Sequence, residues 1–150
     1  MPDREDTAAA RRVRAARIAV SAGFFMFGLA FGLWAVHIPV LTKRLDLDPA
    51  ILGLALLNVG LGGVISQPLT GWLVARTGSR PATQVLLFLF LATFSAPIIA
   101  WNTVAFFCGA FVLGATGGAI NVAINTQAAE IERARGRPTM SSFHGFFSLG

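Results

Sequence analysis

Asn121 and Asn125 stand one helical turn apart inside 81–129, a stretch without a single Asp, Glu, Lys or Arg. An amide both donates and accepts hydrogen bonds. It can recognise a polar group on a small molecule or on a neighbouring helix, but it has no proton to trade at neutral pH. Acid–base chemistry has little else to work with. The seven acidic residues are all absent from 18–42, 49–75 and 81–129, so no paired carboxylates stand in the apolar part of the chain. His37, His144 and the lone Cys108 do not make a convincing metal site. No phosphate-cradling Gly-rich loop with a lysine is present. These absences lead us to expect no catalytic residues, no cofactor and no metal. Recognition by amides, of a small solute or of a neighbouring helix, is the remaining chemistry.

The elements that position these amides follow from composition. The chain is 55% hydrophobic and 13% charged, with a mean hydropathy of +0.67, against about 25% charged in a soluble domain. Charge-free runs of this length are what membrane spans require, at about 20 apolar residues each. Four spans are expected, near 18–41, 50–75, 82–100 and 103–129. Asp48 and Pro49 give the second a start signal, and Pro81 opens the third. The third and fourth are joined by a hairpin at Trp101 and Asn102. Residues 1–17 form a basic tail; the apolar run after it is too long for a signal peptide and reads as a retained span. A fifth span begins near Ser142, and its brevity suggests the front piece of a longer protein.

The cations assign an orientation. Segments sharing the N-terminal side hold ten Lys and Arg, against Lys43 and Arg44 on the other. Such a bias puts the N-terminus in the cytoplasm. The net charge of +5 is therefore a topology signal, and no nucleic-acid partner is expected. The lipid bilayer is the expected surrounding.

Helical periodicity sorts residues onto faces. Gly114, Gly118, Asn121, Asn125 and Glu132 fall within roughly 60° of one another. The glycines suit close helix packing. The asparagines suit either interhelical hydrogen bonds or a cavity that binds polar substrate groups. On the first span, Gly28 and Gly32 form a packing side. His37 lies opposite Gly28, about 28 Å from the start of the span, and is expected at the cavity or the membrane interface. Trp34 is either an interfacial anchor or a stacking surface for substrate. Asn58 and Gln67 lie on opposite faces of the second span. Asn58, nearer mid-membrane, is the expected cavity residue. Pro68 suggests a bent helix with exposed carbonyls.

The stretch "GWLVARTGSR" (71–80) between the second and third spans carries a resemblance. Gly71, Leu73, Arg76, Gly78 and Arg80 match the signature hairpin of the major facilitator superfamily, while Ala75 replaces its Asp and Ser79 one of its Arg residues. "AINVAINTQAAEIE" followed by "FHGFFSLG" resembles the YbjJ-like bacterial inner-membrane branch. The resemblance implies an all-α polytopic bundle of twelve helices in two halves. This chain would supply the first four helices and the start of the fifth, with its partner helices in the missing C-terminal part. It also implies secondary transport of a small solute by alternating access. In related sugar/proton symporters an acid tends to occupy the position of Asn121. The amide here removes that carrier, and a coupling proton stays open. The family's hairpin acid helps latch the cytoplasmic gate. Ala75 cannot, so Arg76 and Arg80 are expected to grip Glu130, Glu132 or an acid elsewhere, or simply to enforce topology. The alternative functions are a membrane scaffold or assembly protein and a small dimeric drug exporter. The exporter fits poorly, because no ionisable residue but His37 lies near the spans.

Overall fold

The computed structural model describes residues 4–150, with side chains from Thr7 onward. The first three residues of the basic tail lie outside that description. Five helices follow in order: α1 (Arg4–Arg44), α2 (Pro49–Thr77), α3 (Ser79–Thr93), α4 (Thr103–Arg135) and α5 (Met140–Leu149). Helices α1, α2 and α4 are long and apolar enough to cross a membrane. The basic segment before Ile18 is continuous with the first span, because α1 is helical from Arg4.

Local chemistry sets the boundaries. Asp48 caps α2, its Oδ1 accepting from the N–H of Ala50 at 2.8 Å and of Ile51 at 2.9 Å, and Pro49 needs no N–H partner there. Asn102 caps α4 by accepting from Ala105 N–H at 2.7 Å. Gly136 ends α4 in the left-handed conformation, with φ 59°. The α2–α3 turn is a single residue, Gly78, with φ 86° and ψ 156°. A side chain is strained in that backbone region. Helix α2 therefore runs past position 75, and α3 starts before Pro81.

The third span departs from expectation. Helix α3 has 15 residues, about 22 Å at 1.5 Å each, which is short of a bilayer core. The chain continues in tightened turns, with Ala96 N–H bonded to Thr93 O and Ile98 N–H to Ser95 O, both at 2.9 Å. Pro97 explains the break. It has no N–H, and its ring would collide with the carbonyl four residues back, that of Thr93. It is also fully buried, against the backbone beside Gly109, where a Cβ would meet Pro97 N at 2.6 Å.

Helix α4 is the hub: α2 lies along one side, α3 along another, and α1 also touches it, while α5 lies on α1. The α2–α4 approach is closest where glycines face backbone. A Cβ on Gly118 would stand 2.7 Å from Gly63 Cα, and one on Gly114 would collide with the Val59 carbonyl. A core of Phe24, Phe90, Ile120, Ile124 and Phe143 fills the space between α1, α3, α4 and α5. A second cluster, around Leu41, Leu47, Ala55, Ala100 and Phe106, closes the opposite end. The outer faces are apolar as well: Leu57 is 69% and Phe88 75% exposed. Helices greasy on all sides belong in lipid or inside a larger assembly.

Candidate functional site

A groove of about 340 Å³ runs between α1, α2 and α4, with Phe147 of α5 at its edge. Two matching patterns build two of its walls. On α2 they are Gly60, Gly63, Val64 and Gln67; on α4 they are Gly114, Gly117, Gly118 and Asn121. Both sets have spacing 0, 3, 4, 7, which places each on one helix face. Small residues let the backbones approach, and each stripe leads to one amide. Phe27 and Phe31 of α1 form the third wall, their rings perpendicular with centroids 5.2 Å apart. Gly117 makes room for Phe31, because a Cβ there would lie 3.2 Å from the ring.

Asn121 and Asn125 are joined. The Asn125 amide donates to Asn121 Oδ1 at 2.9 Å and to the Asn121 carbonyl at 2.8 Å. That leaves Asn121 Nδ2 and Asn125 Oδ1 with no protein partner among the described residues. The pair thus presents one donor group and one acceptor. Asn121 lines the groove; Asn125 supports it from one turn away. On α2 the groove residue is Gln67, not Asn58. Asn58 Nδ2 donates to the Phe107 carbonyl at 2.7 Å, which ties α2 to α4. The choice of Asn58 on depth missed the spacing that sets Gln67 in line with Gly60, Gly63 and Val64. Pro68 sits within a continuous α2. Its missing N–H leaves the carbonyl of Val64, another groove residue, without a helical donor.

Other candidates lie elsewhere. Trp34 is buried in the core at 7% exposure, so it is neither an interfacial anchor nor part of the groove wall. Its Nε1 is enclosed without a hydrogen-bond partner. His37 is half-buried and its Nδ1 donates to the Leu33 carbonyl at 2.6 Å, one turn back on the same helix. It does not line the groove. Gly28 packs under the Phe147 backbone, joining α1 to α5, whereas Gly32 is looser, with Gly150 O 3.4 Å from a Cβ placed there. His144 is exposed, its ring edge-on to Phe24 at 5.3 Å.

The α2–α3 hairpin holds itself differently from the expected arginine grip. Arg76 lies over the Trp72 ring, 4.2 Å from its centroid. The two acids are engaged by other groups. Ser79 Oγ donates to Glu130 Oε2 at 2.5 Å. Glu132 Oε2 accepts from Thr139 N–H at 2.6 Å and Met140 N–H at 2.7 Å, which caps α5. Among the described residues, neither Arg76 nor Arg80 pairs with Glu130 or Glu132. The carboxylates take the nearer neutral donors, a hydroxyl and a helix N-terminus. Gly71, Ala75 and Arg80 are exposed, and Leu73 is half-buried. At the far end, Arg44 donates from Nη2 to the carbonyls of Ile98 at 2.8 Å and Ala100 at 2.6 Å. Those carbonyls are free because the helix stops at Thr93.

Comparison with known proteins decides what kind of bundle this is. The sequence profile described as Major Facilitator Superfamily matches residues 3–150. The chain belongs to the major facilitator superfamily. The superfamily consists of membrane transporters, not enzymes, and the chain is accordingly part of a multi-pass membrane protein. Among its curated superfamily relatives, an uncharacterized MFS-type transporter of Yersinia pestis is 40% identical over 135 residues, covering 89% of this chain and 35% of the relative. An uncharacterized transporter of Sinorhizobium fredii is 35% identical, covering 87% of this chain and 35% of the relative. The membrane protein MosC of Rhizobium meliloti is 32% identical, covering 88% and 32%. The chain thus spans about a third of the length of the curated relatives it matches. No solved structure matches.

Proposed function

We propose that the protein of which this chain forms part is a secondary transporter that moves a small solute across the bacterial inner membrane by alternating access. The groove between α1, α2 and α4 forms the N-terminal half of the solute path. One observation carries the reading: two facing glycine stripes each end in an amide, Gln67 and Asn121, beside an aromatic wall. Such a surface combines close approach, hydrogen-bonding capacity and apolar contact, the mix expected of a small-molecule site. In this reading the chain supplies the first four helices and the start of the fifth of a twelve-helix fold. The third span comprises α3 and the turns after it. The N-terminus and the α2–α3 hairpin face the cytoplasm, as the ten-to-two cation bias supports. The pattern from Ala119 to Gly150 supports a YbjJ-like branch. Two halves rocking about a central site account for transport, with a coupling proton as an open partner.

The test is reconstituted uptake by the full-length protein, with solutes first ranked by thermal stabilisation. Flux that saturates with solute and weakens in Asn121→Ala and Gln67→Ala is expected. A stabilising solute that is never moved across the bilayer would contradict transport and favour a scaffold.

A further inference from the structure

A second cavity, of about 660 Å³, lies where the N-terminal extension of α1 meets the end of α4. It shares no lining residue with the groove. Arg14 and Arg17 face it from α1, Arg135 from the last turn of α4, and Arg137 from just beyond the Gly136 cap. Among the described residues no carboxylate lines it, and none of these four arginines makes a hydrogen bond or ion pair. Glu130 and Glu132, the acids nearest in sequence to Arg135 and Arg137, are held by Ser79 and by the start of α5. Nη1 of Arg135 is shut off from solvent and has no acceptor.

Orientation in the membrane does not call for this arrangement. A cation that only sets topology works fully hydrated, whereas a guanidinium nitrogen enclosed without an acceptor is costly. Four guanidinium groups around one cavity suit an anion with several oxygens, and a phosphate offers the matching geometry. Depth adds to this. Arg17 adjoins the charge-free run that starts at Ile18, and Arg14 lies one turn, about 4.5 Å, further out. That is the level of phospholipid headgroups. Ala9, Ala10, Val13 and Ala134 complete the lining and give the pocket an apolar side.

We infer that this arginine pocket is a binding site for a phosphate group, held by Arg14, Arg17, Arg135 and Arg137. Two sources share that chemistry: the headgroup of an anionic phospholipid in the leaflet nearest the N-terminus, and a soluble phosphate. The site does not depend on the solute that the groove takes.

The experiment uses the intact, delipidated protein. Phosphatidylglycerol and inorganic phosphate are titrated separately and then in competition, and bound species are counted by native mass spectrometry. Wild type is compared with Arg14→Gln, Arg135→Gln and, as an exposed control outside the pocket, Arg11→Gln. Loss of one guanidinium contact should weaken binding roughly tenfold in the pocket variants and leave the control near wild type. Phosphatidylglycerol binding that inorganic phosphate does not displace assigns the headgroup source. Binding of inorganic phosphate alone, with the same dependence on Arg14 and Arg135, assigns the soluble one. Equal weakening in Arg11→Gln, or no weakening in either pocket variant, overturns the proposal.

Discussion

The Ser79 hydroxyl donates to the Glu130 carboxylate across 2.5 Å, and so fastens the α2–α3 hairpin to α4. Ser79 is buried at 4% exposure while Glu130 faces outward. A hydrogen bond to a charged group is worth about 1.5–3 kcal/mol, reduced here because the acceptor is solvated. Ser79→Ala should lower stability by about 1 kcal/mol. In a thermal-unfolding double-mutant cycle, Glu130→Gln added to Ser79→Ala should cost little more than either change alone. Fully additive losses would show that the two side chains act independently.

Asn58 and Asn121 should separate in their effects. Asn58 spends its amide on the Phe107 carbonyl, so Asn58→Ala should reduce stability by about 0.6–1 kcal/mol and leave solute affinity alone. Asn121 keeps a free Nδ2 at the groove, so Asn121→Ala should raise KM about fivefold, the equivalent of about 1 kcal/mol. Uptake kinetics and melting curves on both variants check this. A KM change in Asn58→Ala larger than that in Asn121→Ala would exchange their roles.

Glycine substitutions offer a second contrast. Gly118→Ala drives a methyl into Gly63 and Ser66, and overpacking of this kind costs about 1–3 kcal/mol. A Cβ on Gly71, by contrast, would meet nothing within 4 Å, and the residue sits inside α2. Gly71→Ala should therefore stabilise by about 0.5–1 kcal/mol. Opposite shifts in melting temperature are expected, and shifts of the same sign would contradict the packing described.

Arg44→Gln removes the donor that Ile98 and Ala100 share. The turns after α3 should loosen, with faster amide exchange over 94–100 and little change along α4. Unaltered exchange there would mean that Pro97 and its burial alone hold the segment.

Ala75→Asp tests the hairpin. It places a carboxylate on the exposed surface next to Arg76, which otherwise lies on Trp72. A restored anion should draw the full-length protein toward the state in which the side of the membrane bearing this hairpin is closed. Spin-label distances across that side should shorten, and an unchanged distribution would remove position 75 from gate control.

Much of the frame was legible because it depends on local chemistry. Asp48 before Pro49 is read directly as a helix start, and the spacing of Asn121 and Asn125 alone puts them on one face. What sequence concealed depends on distant partners. Gln67 and Asn58 are equally polar to a reader, and only the Phe107 carbonyl decides which amide is already occupied. Arg44 looked like a topology charge because the carbonyls it binds become free only once Pro97 has stopped α3. Glu130 and Glu132 looked like partners for arginine until a hydroxyl and a helix start came closer.

The one-residue turn at Gly78 has a mechanical consequence. With a single residue between α2 and α3, and Ser79 pinned immediately after it, there is no slack to let one helix slide without the other. The one-residue link ties the end of α2 to the start of α3, so a tilt of one end should carry the other with it. Inserting one residue after Gly78 would turn α3 by about 100° and swing Ser79 away from Glu130. Length at this corner is therefore held far more tightly than residue identity at its exposed positions.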